Sequence, residues 1–226
     1  MIIGNMKMYM TYEEILNYIN NVSKDVIVCP TTIYIPFFLA KGYKVGIQDI
    51  SVNDLGAYTG EISAKQAKSL GVSYVIVGHS ELRTNHNETD EIINKKLIQG
   101  LNNGLKVILC IGEKKSENIN ILKEQLLNSL KDVNNLDNVI IAYEPVWCIG
   151  TGITPTNEQI KTTIDYVKTI IKDNFNQNVT IIYGGSVDEN NINNLSSIVG
   201  LSGFLIGKAS TNVEKINKIT TFIRQN

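Results

Sequence analysis

No stretch of the sequence is apolar for long enough to cross a membrane. The longest runs, such as Ile33 to Ala40 with Pro36 inside, fall far short of the ~20 residues that a spanning helix requires. Neither sign of charge dominates: 21 Lys and Arg stand against 22 Asp and Glu, a formal net charge of -1 that offers no electrostatic footprint for nucleic acid or an anionic membrane surface. Cysteine is scarce. Cys29, Cys110 and Cys148 are odd in number and never in Cys-x-x-Cys spacing, which argues against a disulfide framework and a structural zinc site and for reduced thiols. With His79 and His86 as the only histidines, no histidine-rich metal cluster is expected. The first residues lack the basic and apolar regions of a secretory signal, so a cytoplasmic location is expected.

What is present is an apolar fraction of 43% spread over 226 residues, enough for one large core. Short β-branched runs alternate with longer segments of 3.6-residue period, the signature of βα units on a parallel sheet. The strand candidates are Ile2 to Lys7, Val26 to Cys29, Lys44 to Gln48, Tyr74 to Val77, Lys106 to Cys110, Val139 to Tyr143, Val179 to Tyr183 and Phe204 to Ile206. They are nearly continuously apolar, as strands covered on both faces should be. Helices are expected at Tyr12 to Val22, Ser63 to Leu70, Glu88 to Leu101, Ser116 to Val133, Thr156 to Asn174, Asp188 to Ile198 and Val213 to Arg224. No Pro-, Ser- or Gly-rich linker divides the chain, so one domain over residues 1–226 is expected. Eight units favour closure into a barrel, with an open doubly wound sheet as the alternative.

In a parallel barrel the loops after the strands gather at one face, so polar residues at strand ends converge. Strand one ends in Asn5-Met6-Lys7, strand four in Gly78-His79-Ser80-Glu81, strand five in Cys110-Ile111-Gly112-Glu113 and strand six in Tyr143-Glu144-Pro145. Singly, each has an ordinary explanation: Lys7 as an edge gatekeeper, His79 as a satisfied structural histidine, Glu113 as a pair on the rim. Glu144 is the stronger signal, because Pro145 keeps it extended after an apolar run. Together the ordinary explanations fail. Independent decoration would not put a cation, an imidazole and a carboxylate at the same end of three strands. A desolvated carboxylate can serve as general base, an imidazole can polarise a carbonyl, and lysine supplies fixed positive charge for an oxyanion. Gly150-Thr151-Gly152, Gly184-Gly185-Ser186 and Gly207-Lys208 follow strands six to eight, where backbone amides can hold a phosphate.

These segments, together with Ala142-Tyr143-Glu144-Pro145-Val146-Trp147 and Gly56-Ala57-Tyr58-Thr59-Gly60-Glu61, resemble the triosephosphate isomerase family in order and over essentially the whole chain. The resemblance implies an α/β fold, a closed parallel (β/α)8 TIM barrel, that interconverts dihydroxyacetone phosphate and D-glyceraldehyde 3-phosphate in glycolysis and gluconeogenesis. It implies Glu144 as the base forming an enediolate and neutral His79 moving protons between the two oxygens. Lys7 and Asn5 would sit at the oxyanion, Cys110 and Glu88 in support, and the amides near Gly150, Ser186, Gly207 and Lys208 on the phosphate. Residues 145–154 would form a lid, and no metal or organic cofactor is implied.

The sequence also departs from the family. Met6 stands where tryptophan is usual, Asp49 where asparagine is common, Cys148 in the lid where alanine is frequent, and Lys208 where a phosphate loop has a second glycine. The helix regions after strands one and five look short. Two other readings compete: a different phosphate-binding barrel such as a sugar-phosphate epimerase, and a non-catalytic barrel, in which at least one of Lys7, His79 and Glu144 should have been replaced. The segment from Asp49 to Glu61 is long for a βα loop, and its Leu55, Ala57 and Tyr58 are costly to leave in water. A homodimer is therefore expected, with this loop docked beside the partner's strand-one and strand-four ends.

Overall fold

The computed structural model describes residues 1–225; Asn226, the end of the expected domain, lies outside them. Eight strands, β1 (Ile2–Asn5), β2 (Val26–Cys29), β3 (Gly46–Ile47), β4 (Tyr74–Val77), β5 (Lys106–Ile111), β6 (Val139–Tyr143), β7 (Thr180–Tyr183) and β8 (Phe204–Ile206), are all parallel and run in the order β2-β1-β8-β7-β6-β5-β4-β3. A parallel bridge between Val28 and Val45 joins the two ends of that order, so the ring closes and the open-sheet alternative is excluded. β7 and β8 share a single register pair, Tyr183 with Phe204, flanked by bonds from Tyr183 N to Gly203 O and from Ser202 N to Ile181 O.

Two apolar layers follow from the period of two in the strands. Ile3, Ile27, Cys29, Ile76, Ile108, Cys110, Ile140, Ala142, Ile182 and Leu205 fill the inside of the ring. The alternate residues face outward, against the helices. These are α1 (Tyr12–Asn21), α2 (Ile35–Ala40), α3 (Ala64–Leu70), α4 (Ser80–Asn85), α5 (Asp90–Asn102), α6 (Asn120–Ser129), α7 (Asn157–Phe175), α8 (Ile192–Ser196) and α9 (Val213–Gln225). Met6 is buried in the outer layer, where it fills space behind the barrel wall.

Several boundaries move for identifiable reasons. β3 shrinks from the expected Lys44–Gln48 to two residues, and Gly46 sits so close to Cys29 that a Cβ there would lie 2.6 Å from its sulfur. β1 stops at Asn5 rather than Lys7, because Lys7 turns left-handed at φ 49°. α6 is shorter than Ser116 to Val133: Lys114 N bonds to Glu117 at one end, and Asp132 turns left-handed beyond the other. α8 loses the expected Asp188 to Asn191, whose amides at Asn190 and Asn191 bond to the Asp188 carboxylate in an Asx turn instead. Thr156 caps α7 from outside, accepting from Gln159 N, so the helix starts at Asn157. α5 starts at Asp90, capped by Thr89, rather than at Glu88. α2 and α4, six residues each, are too short for a helical period to show in the sequence. No helix among the described residues is long and apolar enough to cross a membrane.

Candidate active site

Continuing the inward alternation by one step beyond the last apolar layer places polar groups at the mouth of the ring. After Ile3 comes Asn5, and after Ala142 comes Glu144. Glu144 is held as an extension of the sheet: its N–H donates to Ile111 O at 2.8 Å, and Gly184 N donates to Tyr143 O at 2.9 Å. Two glycines make room for it. A Cβ at Gly112 would lie 1.8 Å from the Glu144 carbonyl oxygen, and one at Gly184 would lie 2.7 Å from its Cγ. Any side chain at either position would displace the carboxylate.

Lys7 owes its direction to the left-handed turn, a conformation that costs a residue with a Cβ about 1 kcal/mol or more unless neighbours fix it. They do. Lys7 N donates to Asn5 Oδ1 at 3.1 Å, and its carbonyl accepts from Thr31 Oγ1 and Gln48 Nε2 at 3.0 and 2.9 Å. The ammonium then reaches into the cleft and meets Glu81 Oε1 at 2.6 Å. That pairing spans 74 residues and escaped the sequence reading, which gave Glu81 no role.

His79 follows Gly78, whose φ of 74° turns the chain into α4. Its Nδ1 accepts from the Glu81 backbone N–H at 3.2 Å, which requires an unprotonated Nδ1 and leaves the ring proton on Nε2. Nε2 faces into the cleft, 3.4 Å from Glu144 Oε1. The other carboxylate oxygen of Glu144 is buried without a partner. A buried acceptor with one oxygen unsatisfied, beside a neutral imidazole N–H and a lysine, is equipped to take a proton from carbon while the imidazole and ammonium steady oxygen.

Asn5, Lys7, His79, Glu144, Gly150, Ser186, Gly207 and Lys208 all line one cleft of about 670 Å³. The two supporting residues do not line it. Cys110 lies beneath, inside the ring; burial and the hydrogen-bonded Glu144 carboxylate push its thiol well up, so it is held as a thiol. Glu88 faces a different hollow and pairs with Lys96 Nζ at 2.6 Å, which also holds Asp49 at 2.7 Å. Arg83, not anticipated, braces the underside by donating to Gly78 O and pairing with Asp90 at 2.5 Å.

The far wall of the cleft is glycine-rich. Gly207 leads into a 3₁₀ turn at Lys208–Thr211, whose opening amides have no partner inside the turn. Lys208 has an exposed side chain and no positive φ, so the backbone here never demanded glycine. Across from it, residues 145–154 leave β6 through Pro145 and a 3₁₀ turn at Val146–Cys148, with Gly150 and Gly152 in left-handed geometry and nothing within 4 Å of their would-be Cβ atoms. The segment is clasped at its start. Ser186 Oγ donates to Cys148 O at 2.6 Å, while Glu113 Oε1 accepts from Trp147 Nε1 and the Tyr143 hydroxyl, both at 3.1 Å.

The family model described as triosephosphate isomerase matches residues 1–223. Over 243 aligned positions covering 98% of each chain, this chain is 37% identical to a triosephosphate isomerase of Alkaliphilus oremlandii (strain OhILAs). It is 40% identical to one of Clostridium botulinum (strain Langeland), again over 98% of each chain. A triosephosphate isomerase of Mycoplasma genitalium is 43% identical over 173 positions, covering 74% of this chain and 71% of that one.

Proposed function

The chain belongs to the triosephosphate isomerase family, and on that premise we propose that its cleft interconverts dihydroxyacetone phosphate and D-glyceraldehyde 3-phosphate through an enediolate, with Glu144 as the base. The family's reaction is a step of glycolysis and gluconeogenesis. Glu144 takes a proton from the carbon beside the carbonyl. The Nε2–H of His79 hydrogen-bonds the oxygens and passes a proton between them, and Lys7 with Asn5 steadies the charge that develops there. Both steps move protons within one small substrate, so side chains can supply the whole chemistry. Cys110 supports the base from below. Glu88 supports the frame at a distance, through Lys96 and Asp49.

The observation that carries this reading is Glu144 at 3.4 Å from His79 Nε2, with the imidazole tautomer fixed by Glu81 N–H. A coupled assay of glyceraldehyde 3-phosphate conversion by the purified protein tests it. Turnover that survives in Glu144→Gln would take the base elsewhere.

Amides near Gly150, Ser186, Gly207 and Lys208 hold the phosphate. The Lys208 side chain stays in solvent, and a screened surface charge contributes about 0 to 1 kcal/mol. Lys208→Ala should therefore change KM by no more than about fivefold. A loss of tenfold or more that steepens as salt is lowered would assign the ammonium itself to the phosphate.

The active form is a homodimer. Between Asp49 and Glu61 the chain projects from the barrel, closed at its base by Ser51 N to Ile62 O and by the Ser51–Glu61 hydrogen bond, with Leu55, Ala57 and Tyr58 all exposed. Met8, 90% exposed beside Lys7, offers an apolar landing place on the second protomer. In the dimer Thr59 approaches the partner's Lys7. Light scattering at low micromolar concentration should show two copies, and a fully active monomer would refute the assignment.

A further inference from the structure

His79 serves the proposed chemistry only while its ring keeps one direction, and the backbone that aims it is soft. The last register pair between β4 and β5 is Val77 with Leu109. One residue on, Gly78 leaves the sheet at φ 74°, and a glycine can rotate there at little steric cost. The peptide joining Gly78 to His79 is planar, so turning the Gly78 carbonyl also turns the nitrogen that carries His79. One side chain closes this gap. Arg83 Nε donates to Gly78 O at 2.8 Å and Nη2 to Cys110 O at 3.3 Å, so the guanidinium carries the β4–β5 seam one residue beyond its last pair. Nη1 is held by Asp90 at the start of α5, at 2.5 Å, with both side chains mostly buried.

We propose that Arg83 is a positioning residue for the reaction assigned to the cleft, on which this inference rests: it fixes the Gly78–His79 peptide and, through it, the direction and tautomer of the imidazole. The main chain of Arg83 acts to the same end. Its N–H donates to His79 O at 3.2 Å, so one residue grips the carbonyls before and after the His79 Cα. The same first turn of α4 supplies the Glu81 N–H that meets His79 Nδ1 at 3.2 Å, and a shift of that turn loosens the bond that sets the tautomer. Lysine could supply the charge but not a planar fork that serves three oxygens at once.

Arg83 does not line the cleft that holds Glu144 and His79. It lines, with Asp90, a second hollow of about 440 Å³. Its loss therefore reaches the chemistry through His79, and the residues proposed to grip the phosphate stay as they are. The hollow also gives a way back. Thr84 and Asn87 on its lining are exposed, so a free guanidinium ion can enter the space that the arginine leaves and meet Asp90 and Gly78 O there.

The test reads steady-state kinetics and imidazole nitrogen-15 NMR of Arg83→Ala in parallel. The kcat should fall about 10- to 100-fold, as for a catalytic group displaced by about one ångström, while KM changes little. Guanidinium chloride at about 50 mM, far below denaturing concentrations, should raise kcat of the variant several-fold, and sodium chloride at equal ionic strength should not. With only two histidines in the chain, His86→Gln assigns both rings. His79 should be a single Nε2–H tautomer in the unaltered protein, a mixture in Arg83→Ala, and single again with guanidinium. Should Arg83→Ala not fold, Arg83→Lys carries the same test: it keeps a charge for Asp90 but loses the fork, so kcat should fall and the tautomers should mix. An unchanged kcat, a rise in KM alone, an impaired variant whose His79 signals match the unaltered protein, or sodium chloride restoring Arg83→Ala as well as guanidinium does would each overturn the proposal. The spectra are recorded without substrate. A protein that fails to isomerise, yet whose His79 tautomer is scrambled by Arg83→Ala and restored by guanidinium, would sink the assigned reaction and leave the hold of Arg83 on His79 standing.

Discussion

Glu144→Asp is expected to keep the fold and KM while kcat falls by about 10² or more, because a catalytic group misplaced by roughly one ångström loses that much. The structure says why the protein cannot compensate. The Glu144 backbone is tied by its N–H to Ile111 O, and its carbonyl packs closely against Gly112, so the main chain cannot advance to return a shorter carboxylate to its place. None of the residues proposed to grip the phosphate, Gly150, Ser186, Gly207 and Lys208, is changed, which is why KM should hold. Steady-state kinetics with a circular dichroism spectrum of the variant check this, and an unchanged kcat would remove Glu144 from the role of base.

Removing the expected lid, residues 145–154, should change the product and not only the rate. An enediolate carries a phosphate on the neighbouring carbon, and its electron pair can expel that group, breaking the C–O bond to give inorganic phosphate and, after tautomerisation, methylglyoxal. On the reading of residues 145–154 as a lid, closure would hold the phosphate in the plane where this overlap is poor and keep water away. A variant lacking Val146 to Thr151 retains Glu144, His79 and Lys7, so it should still form the enediolate and then lose it. Phosphate and methylglyoxal should become the main products, measured by phosphate release and dicarbonyl derivatisation. Clean isomerisation by the shortened chain would give the segment some other purpose.

The barrel was legible because its strands are buried on both faces: runs such as Val139 to Tyr143 announce themselves, and a period of two carries Ile140 and Ala142 inward and delivers Glu144 to the mouth. Polar residues at strand ends were visible for the same reason. Direction was not. Asn5 offers Lys7 one local bond, but the two that hold its carbonyl come from Thr31 and Gln48, far along the chain, so the tripeptide alone does not announce the left-handed turn. Glu81 was missed because its partner is Lys7, a contact that local pattern cannot report. Asn118 and Asp188 start their helices later than apolar periodicity suggested, through local side-chain bonds, and a left-handed turn at Asp132 follows an earlier end. Glu88 is the case of a place the sequence did not show: the resemblance implies a supporting role, and the structure puts the side chain beside a second hollow, on Lys96.

The ring of strands is not equally firm all the way round. β2 meets β3 through the single bridge Val28–Val45, and β7 meets β8 through the single pair Tyr183–Phe204. Contacts this sparse open locally at free energies well below that of global unfolding, so amide exchange should begin at these two seams. Each seam adjoins a surface on which something else is proposed to rest. The first lies at the root of the Asp49–Glu61 projection that a second copy would cover, and the second lies between the glycine loops that would grip the phosphate. A partner and a substrate would then act as external staples across the weakest joints of a closed ring, and resistance to heat and proteases would rise with protein concentration and with phosphate, although neither touches the core.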